Sequence, residues 1–274
     1  MTPDPAERGA APRVRRPAVA GSFYPATADA LRAAIRGAFD DAVRPDGGAP
    51  VPEALVVPHA GYIYSGPIAA SAYSRILPAR STISRVVLLG PSHRAYVRGL
   101  AVPSADSFLT PLGAVPIDVE FRDVVLRLSG VHVDDRAHVD EHSLEVQLPF
   151  LQTVLDEFTL LPLSVGDTTV EQVAAVLDAC WGGPETLVVI STDLSHYHSY
   201  DDATRLDART AAAIIACRPD GIDDRDACGA YPLRGLLRVV SDHGLTVEQL
   251  DLRNSGDTAG DPRRVVGYGA FAVC

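Results

Sequence analysis

Four short runs in this chain are apolar on both faces rather than alternating: Ala54 to Val57, Val86 to Leu89, Phe158 to Val165 and Leu187 to Ser191. A strand with one face in water alternates apolar and polar residues, whereas a strand covered on both faces does not. Runs of this kind therefore predict a central sheet, mixed and largely parallel, with helices packed on each side. Amphipathic stretches suited to those helices lie between them, at Pro67 to Ile76, Val119 to Leu128, Ser143 to Glu157, Val170 to Cys180, Ala203 to Ala216 and Ala230 to Val240. An earlier one follows Thr27, which is placed as its N-cap. The segments "LTVEQLDLRNSGD" and "RRVVGYGAFAV" read as two late strands. With 274 residues, 47% of them hydrophobic, the chain is long enough for one sizeable core. We expect a single three-layer α/β domain over residues 18–274. Before it, residues 1–17, rich in Pro, Ala and Arg and lacking an apolar segment of signal-peptide type, are expected to form a flexible tail.

Three of these strands end in residues of ligand type. "ALVVPHAGYIYSG" delivers His59, "RVVLLGPSHRAY" delivers His93, and "TLVVISTDLSHYHSY" delivers Asp193 and His196. In open α/β sheets, ligands bind outside the carboxyl ends of the strands, so three such ends can converge on one crevice. Composition narrows the chemistry it could host. The chain has no lysine, which removes Schiff-base and P-loop mechanisms. Its formal net charge of -11 opposes binding to nucleic acid or to an anionic membrane surface, and no apolar stretch approaches membrane-spanning length. No G-x-S-x-G elbow, H-E-x-x-H helix or early G-x-G-x-x-G turn is present, so neither a serine hydrolase nor a nucleotide cofactor is indicated. What remains is a metal held by residues distant in sequence, with imidazoles as ligands and a carboxylate or thiolate completing the set.

Cys228, in "DACGAYPLRGLLRVV", immediately precedes a helix, where the dipole would favour the thiolate. Cys180 and Cys217 end alanine-rich helical runs and read as core fillers. The four cysteines show no C-x-x-C spacing and are expected to be reduced, which places the protein in the cytoplasm. In "VDEHSLEVQLPFL", Glu141 and His142 stand before a helix and could support the ligands or touch substrate. The alternative is capping by Asp140 and acidic residues favoured by the dipole. Tyr62 and Tyr64, and His198 beside His196, are further candidates to line the pocket. His132, His138 and His243 lie in polar surroundings and are expected to be exposed.

The segments "AGSFYP", "PHAGYIYSG", "GPSH", "DEHSLEVQLPFL", "STDLSHY" and "ACGAYP" occur in the order, and at roughly the separations, seen in the Memo family, called in prokaryotes AmmeMemoRadiSam system protein B. The resemblance runs from Val19 to the terminus. It implies a fold similar to the class III extradiol non-haem iron dioxygenases and a metal site of His59, His93 and Cys228. Asp193 and His196 would line the same pocket, His196 standing where the dioxygenases carry their acid/base histidine. Cysteine in place of their carboxylate softens the ligand set toward copper, zinc or thiolate-bound iron. The expected activity is accordingly that of a redox-active or oxygen-activating metalloprotein, with Fe(II) or Cu favoured and Zn as a third metal. A zinc-dependent hydrolase, and a module binding a peptide or partner protein in the same pocket, are the competing readings. The family's prokaryotic name implies a pathway link to a radical S-adenosylmethionine enzyme and an AMMECR-domain protein.

Overall fold

The computed structural model describes residues 12–274. Its first half contains β1 (Val14–Arg15), α1 (Ala28–Asp40), β2 (Ala54–Val57), α2 (Tyr62–Tyr73), β3 (Arg85–Pro91), β4 (Leu100–Val102), β5 (Ser107–Thr110), β6 (Gly113–Pro116), α3 (Val119–Val125), β7 (Val131–Val133) and α4 (Arg136–Val139). The second half contains α5 (Leu148–Val154), β8 (Thr159–Val165), α6 (Val170–Cys180), β9 (Thr186–Ser191), β10 (His196–His198), α7 (Tyr200–Ile215), α8 (Ala230–His243), β11 (Val247–Asn254) and β12 (Val265–Val273).

The main sheet runs in the order β10-β12-β2-β9-β3-β8-β4-β7, with β11 also paired to β12. Its centre, β2-β9-β3-β8, is parallel, while β12 joins β2 and β4 joins β8 antiparallel. The sheet is thus mixed with a parallel heart, as the apolar runs predict. Alternate residues of one strand enter opposite layers. Leu55, Val57, Val86 and Leu88 join one apolar cluster with residues of α1, α2 and α5. Ala54, Val56, Val87 and Leu89 join another with residues of α6, α7 and α8. A pleated strand with both faces covered has to be apolar throughout, which is why these runs read as they do. A second, three-stranded sheet, β1-β5-β6, has no counterpart in the sequence reading.

The flexible tail expected over 1–17 does not extend that far. Residues 1–11 lie outside the described residues, but β1 pairs in parallel with β5, and Arg15 is buried. Helix boundaries shift as well. α2 begins five residues before Pro67, because the Phe23 carbonyl accepts from the Tyr62 N–H at 2.8 Å and so caps the first turn. Thr27 does stand at the N-cap of α1, though its side chain makes no cap bond. The stretch expected as one helix from Ser143 is a 3₁₀ turn, Glu145–Gln147, followed by α5.

His138, expected at the surface, is 2% exposed. Its Nε2 lies 3.0 Å from the Ala101 carbonyl, and its Nδ1 is buried with no hydrogen-bond partner. Burial lowers its pKa from 6.5 to about 4. The unfolded chain then binds this proton near pH 6.5 and the folded chain only near 4, so stability falls as pH falls through that window. Between pH 7 and 5 this residue should contribute a loss of about 2 kcal/mol. Chemical denaturation of the wild type and His138→Gln at both pH values checks it: the variant should lose correspondingly less, and equal losses would refute the assignment.

Candidate metal centre

The parallel pairing brings the carboxyl ends of β2, β3 and β9 to one edge of the sheet, with Val57 opposite Ser191 and Leu89 opposite Ile190. The chain leaving each end carries His59, His93 or Asp193 into the same space. Two close approaches draw further loops onto these ends. A Cβ on Gly90 would come within 3.0 Å of Ser143 Oγ, and one on Gly229 within 2.9 Å of the Ser191 carbonyl. Glycine at these places lets the 141–144 segment pack against β3, and lets the loop carrying Cys228 pack against β9.

Ring nitrogens of His59, His93 and His142 all lie within 4.8 Å of one another, a group that could hold a metal ion. The His93 and His142 rings stack with centroids 4.7 Å apart, and His59 meets both nearly edge-on at 5.2 and 5.4 Å. Phe23, from "AGSFYP", closes the other side of His142 with centroids 4.6 Å apart.

The hydrogen bonds around these rings decide their tautomers. Ser191 Oγ donates to the Ser143 carbonyl at 2.6 Å and accepts from Gln147 Nε2 at 2.8 Å. Its single proton is thereby used, so its 2.9 Å contact with His59 Nδ1 requires that nitrogen to be the donor. His59 Nε2 is left with the lone pair. Gln147 is oriented in turn by Tyr73, whose hydroxyl donates to Gln147 Oε1 at 2.9 Å. His93 Nδ1 lies 3.0 Å from Glu141 Oε1. Burial would raise the pKa of that carboxyl, but hydrogen bonds from the His93 ring and from the backbone N–H groups of His93 and Ser143 hold it far below the usual carboxylate range. An ionised carboxylate only accepts, so His93 also keeps its proton on Nδ1 and its lone pair on Nε2. Burial, with the neighbouring rings, lowers the pKa of His59 well below 6.5 and that of His142 to about 4. Neutral imidazoles are the form that ligates metal.

Cys228 Sγ sits 3.3 Å from His59 Nε2 and accepts from the Asp193 N–H at 3.3 Å. Sulfur and imidazole nitrogen bound tetrahedrally to one ion would stand about 3.6 Å apart, so this pair fits a shared metal. The thiolate expected from the helix dipole does not follow from the protein alone. Burial first, and then the Asp193 charge, push the Cys228 thiol up, and a cation is needed to ionise it. His142 Nδ1 is buried without a hydrogen-bond partner, 3.3 Å from Glu141 Oε1. An orphaned nitrogen, two directed lone pairs and a thiol form a donor set suited to a transition metal or zinc.

Asp193 accepts from the His59 N–H at 2.7 Å. Burial raises its pKa to about 7 against that hydrogen bond. His196 Nδ1 donates to the Leu194 carbonyl at 2.7 Å, leaving the lone pair on Nε2, and burial lowers its pKa. His59, His93, His142, Asp193, His196, His198, Tyr64 and Cys228 all line one cavity of about 940 Å³. Tyr62 does not: its ring packs between Tyr24 and Phe150 and its hydroxyl donates to the Val146 carbonyl at 2.7 Å. Glu141 is buried beneath the cavity as a bonding partner of the ligand loops. Ser191 and Gln147 orient His59, a role that no sequence motif signals. Gln147 lies within "DEHSLEVQLPFL" and Ser191 directly precedes "TDLSH", but nothing in either segment announces that the two side chains meet.

The chain matches the family model described as Memo-like protein over residues 15–272. It is 38% identical to a MEMO1 family protein of Methanopyrus kandleri, with 94% of this chain and 98% of that protein aligned. It is also 37% identical to a MEMO1 family protein of Aquifex aeolicus, over 93% of this chain and 97% of that one. A crystal structure of an uncharacterized protein from Escherichia coli K12 shares the fold, with a TM-score of 0.52 at 14% identity, over 79% of this chain and 98% of that chain. The strand-end histidines, the 141–147 segment that buttresses them and the near end-to-end match lead to one conclusion: the chain belongs to the Memo family.

Proposed function

We propose that this cavity is the active site of a metalloenzyme in which His59, His93 and Cys228 hold one metal ion, Fe(II) or Cu, with the His142 ring beside it. The observation that carries the reading is the 3.3 Å approach of Cys228 Sγ to His59 Nε2, the nitrogen whose lone pair the Ser191 and Gln147 bonds turn toward the sulfur. Such a metal supplies a site at which dioxygen or a small substrate can be activated. The chain's own groups do the rest. His196, neutral and with its Nε2 free to accept, takes or returns a proton within the cavity. Asp193 fixes the His59 backbone at the mouth of β2 and, buried at the foot of the cavity, carries a proton that it can release near neutral pH. Phe23 and Tyr64 exclude water from one wall. The four cysteines are unpaired, which supports a reducing compartment such as the cytoplasm. Among the described residues, no helix is long and apolar enough to cross a membrane.

Metal analysis of anaerobically purified protein, followed by reconstitution with Fe(II), Cu(I) and Co(II), tests the site. One equivalent is expected to bind, with a cobalt–thiolate charge-transfer band that disappears in Cys228→Ser. Absence of metal uptake by the wild type would overturn the proposal. Uptake that survives Cys228→Ser but fails in His142→Ala would replace the thiolate by the third histidine. Zinc at full occupancy with oxygen-insensitive turnover of esters or amides would turn the reading to hydrolysis.

A further inference from the structure

The charged residues of the cavity are not balanced as the rest of this acidic chain is. Six of them line it: Arg94, Asp193, Asp224, Arg225, Asp261 and Arg264. Asp193 is buried at the foot. Each rim carboxylate is engaged by an arginine that does not line the cavity: Asp224 by Arg234 at 2.8 Å, and Asp261 by Arg263 at 2.5 Å. The three rim arginines have no such partner. Among the described residues, no carboxylate lies within ion-pair distance of Arg94, Arg225 or Arg264. In a chain of net charge -11, three unpaired cations around one opening, with both rim carboxylates already engaged from outside it, are a local reversal of sign.

Arg264 is also held in place. Its guanidinium carbon lies 4.3 Å from the centre of the Tyr197 ring. Tyr197, 63% exposed, adopts a left-handed backbone with φ of 65°, a conformation that costs a non-glycine residue about 1 kcal/mol or more. That strain places a tyrosine ring at the rim next to His196, with ring centroids 5.7 Å apart, and gives the Arg264 cation a platform. Arg94 directly follows His93 in the chain and lines the same cavity.

We propose that Arg94, Arg225 and Arg264 form an anion-reading rim over the metal centre, so that the substrate is a small molecule carrying a carboxylate or a phosphate. Planar guanidinium groups match the oxygens of either anion in pairs, and field lines from them focus into a cavity with low-dielectric walls. Phe23, Tyr64, Tyr197 and Tyr268 also line the cavity and offer aromatic surface to the apolar body of such a molecule, with its charged end at the arginines. The proposal rests on the reading of this cavity as the substrate side of the metal centre, and its test is arranged to fail separately from it.

Calorimetric titration with benzoate, phenyl phosphate and neutral phenol, on chelator-treated and on zinc-loaded protein, provides that test. The metal-free protein should bind at least one of the two anions about tenfold or more tightly than phenol, and which anion wins identifies the class. Arg225→Gln and Arg264→Gln should each weaken the anion about tenfold while leaving phenol unchanged, and added salt should weaken it further. Thermal unfolding of these exposed variants should match the wild type. Anions that bind no tighter than phenol, with zinc uptake intact, overturn the rim and leave the metal centre standing. Anion binding that needs zinc and ignores the arginine changes overturns it too, because the metal would then be the anion receptor. Arginine-dependent binding to protein that takes up no metal keeps the rim and removes the metal.

Discussion

Replacing Glu145 by alanine is expected to destabilise the fold by about 3 to 5 kcal/mol, the range for removing one member of a buried ion pair. Glu145 has no exposure and Arg15 is 7% exposed. The carboxylate accepts from Arg15 and from the backbone N–H groups of Ala18 and Val19, at 2.7 and 3.0 Å, and from the Tyr24 hydroxyl at 2.5 Å. Its loss strands three donors and a buried guanidinium at once. Equilibrium urea denaturation measures the effect, and a loss below about 1 kcal/mol would show that the segment relaxes to find water. Arg15→Met combined with Glu145→Leu should recover only part of the loss: no charge is left without a counterpart, but the Ala18, Val19 and Tyr24 donors stay without an acceptor. The effect should extend to the metal centre. Arg15 also donates to the Glu141 carbonyl at 2.5 Å and the His138 carbonyl at 2.9 Å, so it pins the segment from which Glu141 and His142 project.

Glu141→Gln is expected to lower metal affinity 10- to 100-fold, the usual consequence of removing a carboxylate that orients a metal-binding histidine. Glu141 Oε2 accepts from the His93 N–H at 2.5 Å, and Oε1 accepts from His93 Nδ1 and from the His142 and Ser143 N–H groups, at 3.0, 2.9 and 2.9 Å. An amide in its place turns two N–H donors toward one of these donor sets. His93 then loses the partner that keeps its proton on Nδ1, and His93 and His142 lose the anchor they share. Competition against a chelator of known affinity reads the change. An affinity within twofold of the wild type would mean that the carboxylate only stitches loops together.

Much of the architecture can be read from residues alone, because its cause is local. A four-residue run such as Ala54–Val57, apolar at every position, needs cover on both sides, and Gly90-Pro91 ends the next strand where a turn is wanted. The same logic places His59, His93 and Asp193, each one or two residues past a buried strand, at the edge where parallel strands end together. α6 also follows its sequence pattern end to end, capped at Thr169 by its own side chain and by Gln172.

What was not legible depends on contacts between distant segments. Arg15, which composition assigns to a tail, is an ion-pair partner 130 residues from Glu145. His138 resembles a surface histidine among acids, yet the fold closes over it. Cys228 stands where a helix dipole should ionise it, but loss of water around its sulfur and the nearby Asp193 charge outweigh that dipole. His59 and His93 are thus named by the sequence, since strand ends carry them outward whatever surrounds them, whereas His142 and Cys228 ride on loops that only the fold brings to those ends. Their working state is set by the tertiary structure, because a tautomer, a neutral imidazole or an un-ionised thiol depends on which groups are buried beside it. The Ser191 proton directed to the Ser143 carbonyl turns the His59 lone pair toward Cys228, and no local pattern around His59 contains that instruction.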